Sequence, residues 1–208
     1  MVFFWLAVSV VIGYLSGAIP FGVIISKYFF KVDIRKHGSG NIGAANVYRI
    51  IGPKAGISVF ICDAIKGAVP VLLASLISKG NSAVMLSSGV MAIVGHMYSP
   101  FIGFRGGKGV ATGAGVFLAL VPIPTLIALA VFIVTVAVSK YISLGSIVAA
   151  VSLPVIVAIV NYSWMITFFS VIAGILVVYK HESNIKRIVT GKENKFMFKP
   201  REAVEDNK

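Results

Sequence analysis

The sequence predicts an all-α, polytopic membrane protein, and three observations support that prediction. Hydrophobic residues make up 58% of the 208 residues, and the mean hydropathy is +0.95. Charged residues make up only 12%, about half of the roughly 25% found in soluble domains. Apolar runs recur along the chain, and a membrane helix needs about 20 apolar residues. These features exclude both a soluble globular domain and a disordered chain.

Seven apolar runs are predicted to be membrane-spanning helices. They cover residues 2–26, 55–78, 83–103, 110–121, 123–139, 144–160 and 162–179. The first run lacks a basic leading segment and a small-residue cleavage site, so we expect it to be retained as a span. The fourth run is short. Pro122 and Pro124 separate it from the fifth, because closely spaced prolines favour a turn over a continuous helix. Merging these two runs would leave six spans.

The basic residues predict an N-terminus outside and a cytoplasmic C-terminus. In that orientation nearly all of the 19 Lys and Arg residues are cytoplasmic, the exceptions being Lys79 outside and Lys66 within the second span. An excess of basic residues marks cytoplasmic loops, which accounts for the net charge of +12 without nucleic acid. We expect a single integral-membrane domain over residues 1–208, with a basic cytoplasmic tail from about residue 188. From Lys192 onward this tail is expected to contact anionic lipid.

Polar residues gather in three clusters, and the predicted topology places all three at the cytoplasmic face. The clusters cover residues 37–49, 95–112 and 180–191. All three histidines of the chain, His37, His96 and His181, fall within them. We therefore expect the function to reside at this face of the membrane.

Glycines in the first two clusters are predicted to form phosphate sites, because glycine lets backbone N–H groups turn toward an anion without a Cβ clash. The glycines concerned are Gly38, Gly40, Gly43, Gly106, Gly107 and Gly109. Ser39 and Asn41 add side-chain donors to the first cluster. Arg105 and Lys108 add a guanidinium and an ammonium group to the second. Four glycines within the apolar runs are expected to serve close helix packing instead: Gly13, Gly17, Gly113 and Gly115.

Asp63 and Lys66 place charge inside an apolar run, where ionisable residues are rare. Their i, i+3 spacing puts them on one helix face, where they can pair. Two interpretations stay open. The pair is either a structural ion pair, or Lys66 reaches the anion site while Asp63 orients it.

Histidines complete the second and third clusters. His96 lies between an apolar run and the glycine-rich loop, a placement that suits a base or a donor to a substrate hydroxyl. In the third cluster, i, i+3 spacing allows one helix face to present His181, Asn184 and Arg187 together.

Several cofactor and metal sites are excluded. The pattern Gly38-x-Gly40-x-x-Gly43 fits a dinucleotide fingerprint, but no strand precedes it. The loop over residues 106–109 departs from a Walker A motif, since Gly109 stands where Ser or Thr should bind magnesium. A lone Cys62 excludes an intramolecular disulfide and Cys-based zinc sites. Too few carboxylates lie near the clusters for a two-metal site. We therefore expect no metal and no cofactor.

The three clusters resemble the motifs of the bacterial membrane glycerol-3-phosphate acyltransferases that use acyl phosphate, the PlsY family. The matching segments are Gly38–Arg49 (GSGNIGAANVYR), Gly95–His96 with Gly106–Thr112 (GGKGVAT), and His181–Arg187 (HESNIKR). The stretch Asp63–Gly67 also fits, and the resemblance covers nearly the whole chain. Ala45 departs from the family pattern, which has Thr there, so one hydroxyl contact is in doubt.

The resemblance implies seven helices in the bacterial cytoplasmic (inner) membrane, with the active site on the cytoplasmic side. It implies acyl transfer from acyl phosphate to the 1-hydroxyl of sn-glycerol 3-phosphate, giving 1-acyl-sn-glycerol 3-phosphate (lysophosphatidate) and phosphate. The expected catalytic residues are Ser39, His96, Lys108 and Asn184. The residues expected to bind the substrates and their phosphates are Gly38, Gly40, Asn41, Gly43, Asn46, Arg49, Lys66, Arg105, Gly106, Gly107, Gly109, Thr112, His181 and Arg187.

The expected partners are the two substrates, the lipid bilayer and a soluble acyl-phosphate synthase, if the donor is delivered by contact. Two points stay open: whether His96 or the leaving phosphate is the general base, and whether an acyl-Ser39 intermediate forms. The alternative function is transport of a phosphorylated metabolite. Transporters, however, often contain internal repeats and broken helices near the membrane midplane, whereas this chain shows no repeat and gathers its polar residues at one face.

Overall fold

The computed structural model describes residues 1–160 and 162–196, and the regular structure within these ranges is helical. The α-helices in chain order are α1 (Val2–Ala18), α2 (Phe21–Ile24), α3 (Ala44–Ile50), α4 (Pro53–Ser78), α5 (Ser82–Met97), α6 (Val110–Leu120), α7 (Pro122–Ser139), α8 (Ile142–Ile159), α9 (Trp164–Lys180) and α10 (Glu182–Val189). A π-helical segment, Ile25–Phe29, continues α2, and Ile34–Lys36 and Pro100–Ile102 form 3₁₀ turns. The predicted all-α class is confirmed.

Within the described ranges, five helical segments are long and apolar enough to cross a membrane. They are Val2–Phe29, Pro53–Ser78, Ser82–Ile102, Pro122–Ser139 and Ile142–Ile159. Helix α9 makes a sixth if it is taken together with α10, from which it is bent by 58°. Helix α6 has only 11 residues, about 16 Å at 1.5 Å per residue, against a hydrocarbon core of about 30 Å. Seven spans and the orientation therefore stay predictions.

Helices α6 and α7 are separate, as the two prolines predict. Helix α6 ends at Leu120, and Val121 leaves the helical conformation with φ −144° and ψ 75°. Helix α7 begins at Pro122. Proline suits the first position of a helix, because the N–H group that it lacks would have no intrahelical acceptor there.

Close helix contacts in the first half of the chain depend on glycine. Helix α1 packs along α5, and a Cβ at Gly13 or Gly17 would collide with main-chain oxygens of α5. Helix α4 packs along α6, and a Cβ at Gly115 would collide with the carbonyl of Ala64. The packing prediction is confirmed for these three glycines. It is wrong for Gly113, where the nearest atom to an added Cβ would be Cδ1 of Ile93 at 3.9 Å.

The second half of the chain packs α8 between α7 and α9, and contacts of α6 with α7 and of α5 with α9 join the two halves. Large apolar side chains cover the outside: Phe3, Leu76 and Val138 are 86%, 77% and 81% exposed. Such a surface suits lipid rather than water. The polar loops lie at one end of the bundle, where α4, α6 and α8 begin and α5, α7 and α9 end.

Candidate active site

A polar cavity of about 140 Å³ opens at this end of the bundle. Its lining draws on all three predicted clusters and on the first residues of α6 and α8. The predicted site residues that line it are Ser39, Asn41, Gly43, Asn46, Arg49, His96, Lys108, Gly109, His181, Asn184 and Arg187. Segments far apart in sequence therefore meet at one site.

Lys108 and Asn184 join the second cluster to the third. The Nζ of Lys108 donates a hydrogen bond to Oδ1 of Asn184. Nδ2 of Asn184 donates to Oε1 of Glu193 over 2.6 Å, and Nε of Arg187 donates to Oε2 over 2.7 Å. The hydroxyl of Ser143, on α8, donates to Oε1 over 2.8 Å. The buried carboxylate of Glu193 thus orients the amide of Asn184, which accepts the hydrogen bond from Lys108.

Three basic side chains, those of Lys108, Arg49 and Arg187, share this cavity with Glu193. Burial lowers the pKa of Lys108 to about 8, and repulsion from Arg187 adds to the effect. Burial also lowers the pKa of Arg49. Burial alone would raise the pKa of Glu193, but the hydrogen bonds that its carboxylate accepts lower it overall. The resulting excess of positive charge favours a ligand with several negative charges.

Asn46 holds the first cluster in shape. Its Nδ2 donates to the carbonyls of His37 and Asn41 over 3.0 and 2.9 Å, and its Oδ1 accepts the N–H of Ser39 over 3.0 Å. Asn41 in turn accepts the N–H of Gly43 at Oδ1 over 2.8 Å. Because these bonds use the amide of Asn46, we assign it a positioning role instead of the predicted contact with phosphate. Ser39 is exposed at the mouth of the cavity.

Three of the six predicted glycine N–H groups in the glycine-rich loops donate to main-chain carbonyls. Gly106 and Gly107 donate theirs to main-chain carbonyls at the end of α5, each over 3.1 Å. Gly40 donates to a carbonyl in its own loop over 3.0 Å. The turns that glycine permits are closed by their own hydrogen bonds, so these amides are unavailable to phosphate. Phosphate binding by these three amides is therefore not supported, whereas Gly43 and Gly109 line the cavity.

The start of α6 offers a different anion site. Gly109, Val110 and Ala111 line the cavity beside Lys108. The first N–H groups of an α-helix have no intrahelical acceptor, and the helix dipole places partial positive charge there. A phosphate near Lys108 can therefore be bound by main-chain donors of α6.

Lys66 has a structural role. Its Nζ lies 2.7 Å from Oδ1 of Asp63 and donates to the carbonyl of Ile19 over 2.6 Å. That carbonyl lies at the break between α1 and α2, where Pro20 has no N–H to donate. Both charged side chains are 2% exposed, but only Asp63 lines the cavity. The predicted ion pair is confirmed, and the reach of Lys66 to an anion is not supported in this conformation.

Six other predicted residues also lie outside the cavity lining: Gly38, Gly40, Arg105, Gly106, Gly107 and Thr112. Arg105 is exposed. Thr112 is fully buried, and its carbonyl packs against Gly67 of α4. Direct contact with substrate is therefore not supported for these six residues in this conformation.

His96 is buried between α4 and the glycine-rich loop. Its Nδ1 lies 3.8 Å from Oδ1 of Asp63. Its main-chain carbonyl accepts the N–H of Gly107, and a Cβ at Gly107 would collide with its Nε2. His96 therefore supports the loop that carries Lys108.

His181 presents a defined tautomer to the cavity. Its Nδ1 lies 2.7 Å from the carbonyl oxygen of Val177. Because a carbonyl can only accept, Nδ1 carries the hydrogen in this bond. In the neutral ring Nε2 is then an acceptor.

The sequence reasoning missed four polar residues that line the cavity: Ser143, Ser146, Glu193 and Asn194. Glu193 lies in the basic tail, which was expected to contact lipid. The feature of the sequence that could have indicated its role is a single acidic residue among lysines.

The tail folds back onto the bundle at Phe196. The N–H of Phe196 donates to the carbonyl of Lys140 over 2.6 Å, and its ring lies 5.1 Å from that of Tyr48. The lipid prediction for residues 197–208 lies outside the described residues.

An apolar cavity of about 220 Å³ adjoins the polar one. The two share five lining residues: Phe60, Gly109, Val110, Phe132 and Ser146. The remaining walls come from α4 through α9 and are almost entirely apolar. The site therefore combines a cationic compartment with a hydrophobic one.

Comparison with known proteins places this architecture in a family. The family model described as glycerol-3-phosphate acyltransferase matches residues 7–191. A glycerol-3-phosphate acyltransferase of Fusobacterium nucleatum is 47% identical over 190 residues, covering 91% of this chain and 97% of that protein. One of Geobacter sulfurreducens is 45% identical over 185 residues, covering 89% and 94%.

Two solved structures are similar over nearly the whole chain. Both are of PlsY, an integral membrane glycerol 3-phosphate acyltransferase. The glycerol 3-phosphate form gives a TM-score of 0.88 at 39% identity, covering 92% of this chain and 96% of that one. The lysophosphatidic acid form gives 0.86 at 38%, covering 93% and 96%. The chain therefore belongs to the glycerol-3-phosphate acyltransferase family, and it is an integral-membrane acyltransferase of phospholipid synthesis.

Proposed function

We propose that this enzyme transfers an acyl group from acyl phosphate to the 1-hydroxyl of sn-glycerol 3-phosphate. The products are lysophosphatidate and inorganic phosphate. The observation that carries the proposal is the direct junction of a cationic cavity with an apolar one. An acyl phosphate has this same division, with a dianionic head on an apolar chain.

The cationic compartment suits a reaction that brings two phosphates together. Lys108, Arg49 and Arg187 offset the repulsion between the phosphate of the donor and that of the acceptor. The exposed hydroxyl of Ser39, and the second lone pair of Asn184 Oδ1 beside Lys108, would bind the glycerol hydroxyls. Holding the reacting hydroxyl near the acyl carbon then converts the reaction into an effectively intramolecular one.

The chemistry is a single acyl transfer. The 1-oxygen of glycerol forms an ester bond to the acyl carbon, and the bond from that carbon to the phosphate oxygen breaks. The hydroxyl proton goes to the departing phosphate. His96 is poorly placed to take it, since its nitrogens lie against Asp63 and Gly107. No acyl-Ser39 is required. Among the described residues, the hydrogen-bond partner of the Ser39 hydroxyl is the main-chain N–H of Asn41, which cannot act as a base.

The proposed setting is the bacterial cytoplasmic membrane, with seven spans, the N-terminus outside and the cavity facing the cytoplasm. The concentration of basic residues at the polar end of the bundle supports this orientation. The polar head of the donor would enter from the cytoplasm while its chain stays in an apolar environment. Delivery by a soluble acyl-phosphate synthase fits that geometry and remains a proposal. No nucleic acid is involved.

One assay tests the donor and the reaction together. Purified protein in detergent receives palmitoyl phosphate and glycerol 3-phosphate, and both phosphate and lysophosphatidate are followed. We expect equal amounts of the two products, unchanged by excess chelator. A parallel sample with palmitoyl-CoA should be inactive. Turnover with palmitoyl-CoA alone would overturn the proposed donor. Phosphate release without lysophosphatidate would overturn the proposed acceptor.

A further inference from the structure

Gly113 has no packing reason to be glycine. It is buried on α6 and lines the apolar cavity, and a Cβ there would meet no atom closer than 3.9 Å. Gly115 and Gly174 also line this cavity, but at both a Cβ would press on the main chain of a neighbouring helix. Glycine is one of the poorest helix-forming residues. Its use at Gly113 therefore keeps space open instead of allowing helices to approach.

The position of Gly113 places that space next to the polar site. Its N–H donates to the carbonyl of Gly109 over 2.7 Å, so the two residues lie one helical turn apart on the same face. Gly109 lines both cavities. Gly113 thus lies about 6 Å farther along the axis of α6. There the apolar chain of a ligand whose head lies in the polar cavity would enter the apolar one.

We infer that Gly113 is a specificity-determining residue for the length of the acyl chain. The inference rests on the proposed function, since it requires the acyl chain to occupy the apolar cavity. The missing side chain leaves the passage between the two cavities wide enough for a long chain. A branched side chain at this position shortens the usable cavity and leaves the cations around Lys108 unchanged.

The test is a series of variants assayed with acyl phosphates of graded chain length. Gly113→Ala, Gly113→Val and Gly113→Leu add increasing volume, and donors of 4 to 16 carbons are compared by kcat/KM. The readout is the ratio of kcat/KM for the 16-carbon donor to kcat/KM for the shortest donor that the wild type uses. For Gly113→Leu we expect this ratio to fall at least tenfold. Gly113→Val should be intermediate. The KM for glycerol 3-phosphate should stay within about twofold of wild type.

Ala130→Leu is the matched control, because Ala130 is exposed on α7 and lines neither cavity. It should leave the chain-length profile unchanged. Gly113→Ala guards against a folding defect in the larger variants, since its Cβ has room. It should melt at or above the wild-type temperature, because alanine favours a helix more than glycine does, and shift the profile slightly toward short donors.

Two outcomes would overturn the inference about Gly113. One is an unchanged chain-length profile across the folded variants, and the other is an equal loss for short and long donors. Failure of the proposed function has a different signature, namely a wild-type enzyme that uses none of the acyl phosphates.

Discussion

The carboxylate of Glu193 accepts a hydrogen bond from Nδ2 of Asn184 over 2.6 Å, and this bond decides which end of the amide faces the cavity. With Nδ2 held by an anion, Oδ1 is turned to Lys108 and accepts from its ammonium group. A hydrogen bond to an ionised carboxylate is roughly twice as strong as a neutral one. We therefore expect Glu193 to be a positioning residue that acts on substrate through Asn184 and Arg187.

Replacing Glu193 with Gln should lower kcat/KM about 10- to 100-fold. The change removes a charged acceptor from Asn184 and Arg187, and hydrogen bonds to charged groups contribute about 1.5–3 kcal/mol. The measurement is lysophosphatidate formation at varied glycerol 3-phosphate. Glu193→Asp should recover part of the loss in kcat. Glu182→Gln is the control, since its side chain is 64% exposed and, within residues 1–160 and 162–196, pairs only with Lys186. Equal small effects of the two Gln variants would contradict the positioning role.

Lys108→Met should abolish measurable turnover while the protein stays folded. Removing one preorganised group that stabilises a developing charge typically costs a factor of about 10²–10³ in rate. The check is the initial rate of phosphate release, together with the melting temperature in detergent. Lys186→Met removes an ammonium group that is 73% exposed, so its rate should match the wild type. Near-normal activity of Lys108→Met would eliminate Lys108 as a phosphate ligand.

The activity should decline as the pH rises through about 8. Burial lowers the pKa of Lys108 to about 8, so its ammonium form is complete below that pH and is lost above it. The profile of kcat/KM reports the free enzyme, and we expect its basic limb there. Residual activity of Lys108→Arg should lack this limb, because a guanidinium stays protonated across the range. A flat wild-type profile between pH 7 and 9.5 would argue against the assignment.

Lys66→Met should destabilise the protein without a specific effect on substrate binding. It leaves the buried Asp63 carboxylate unpaired, and breaking a buried ion pair costs about 3–5 kcal/mol. The measurements are the melting temperature in detergent and the KM for glycerol 3-phosphate. The double variant Asp63→Asn/Lys66→Met should recover part of the melting temperature, since neither charge is then left alone. An unchanged melting temperature with a raised KM would restore the direct role of Lys66.

Hydropathy and motif order were enough to predict much of this molecule. The apolar runs correspond to α1, α4, α5, α6, α7, α8 and α9, and the break at Pro122 lies where predicted. Eleven of the predicted site residues line one cavity. The helix positions were predictable because hydropathy and proline act locally, and the polar residues meet because loops between spans gather at the membrane surfaces.

Several predicted roles failed for a common reason. The amides of Gly106 and Gly107 were expected to bind phosphate, but carbonyls of α5 accept them. One interpretation had Lys66 reach an anion, but its ammonium group donates a hydrogen bond to the carbonyl of Ile19. In each case a main-chain carbonyl of the protein competes for the same donor, and the sequence does not show which acceptor lies closer.

The sequence by itself determined that this chain is an all-helical membrane protein with its polar motifs between apolar runs. It also predicted a phosphate-binding site, because lysine, arginine and asparagine are residue types that can be read directly from it. Only the tertiary structure decided which of them face the cavity, that Glu193 orients Asn184, and that Gly113 borders open space. The physical reason is that a side chain's direction depends on the rotation of its helix and on its neighbours, and packing between distant segments sets both.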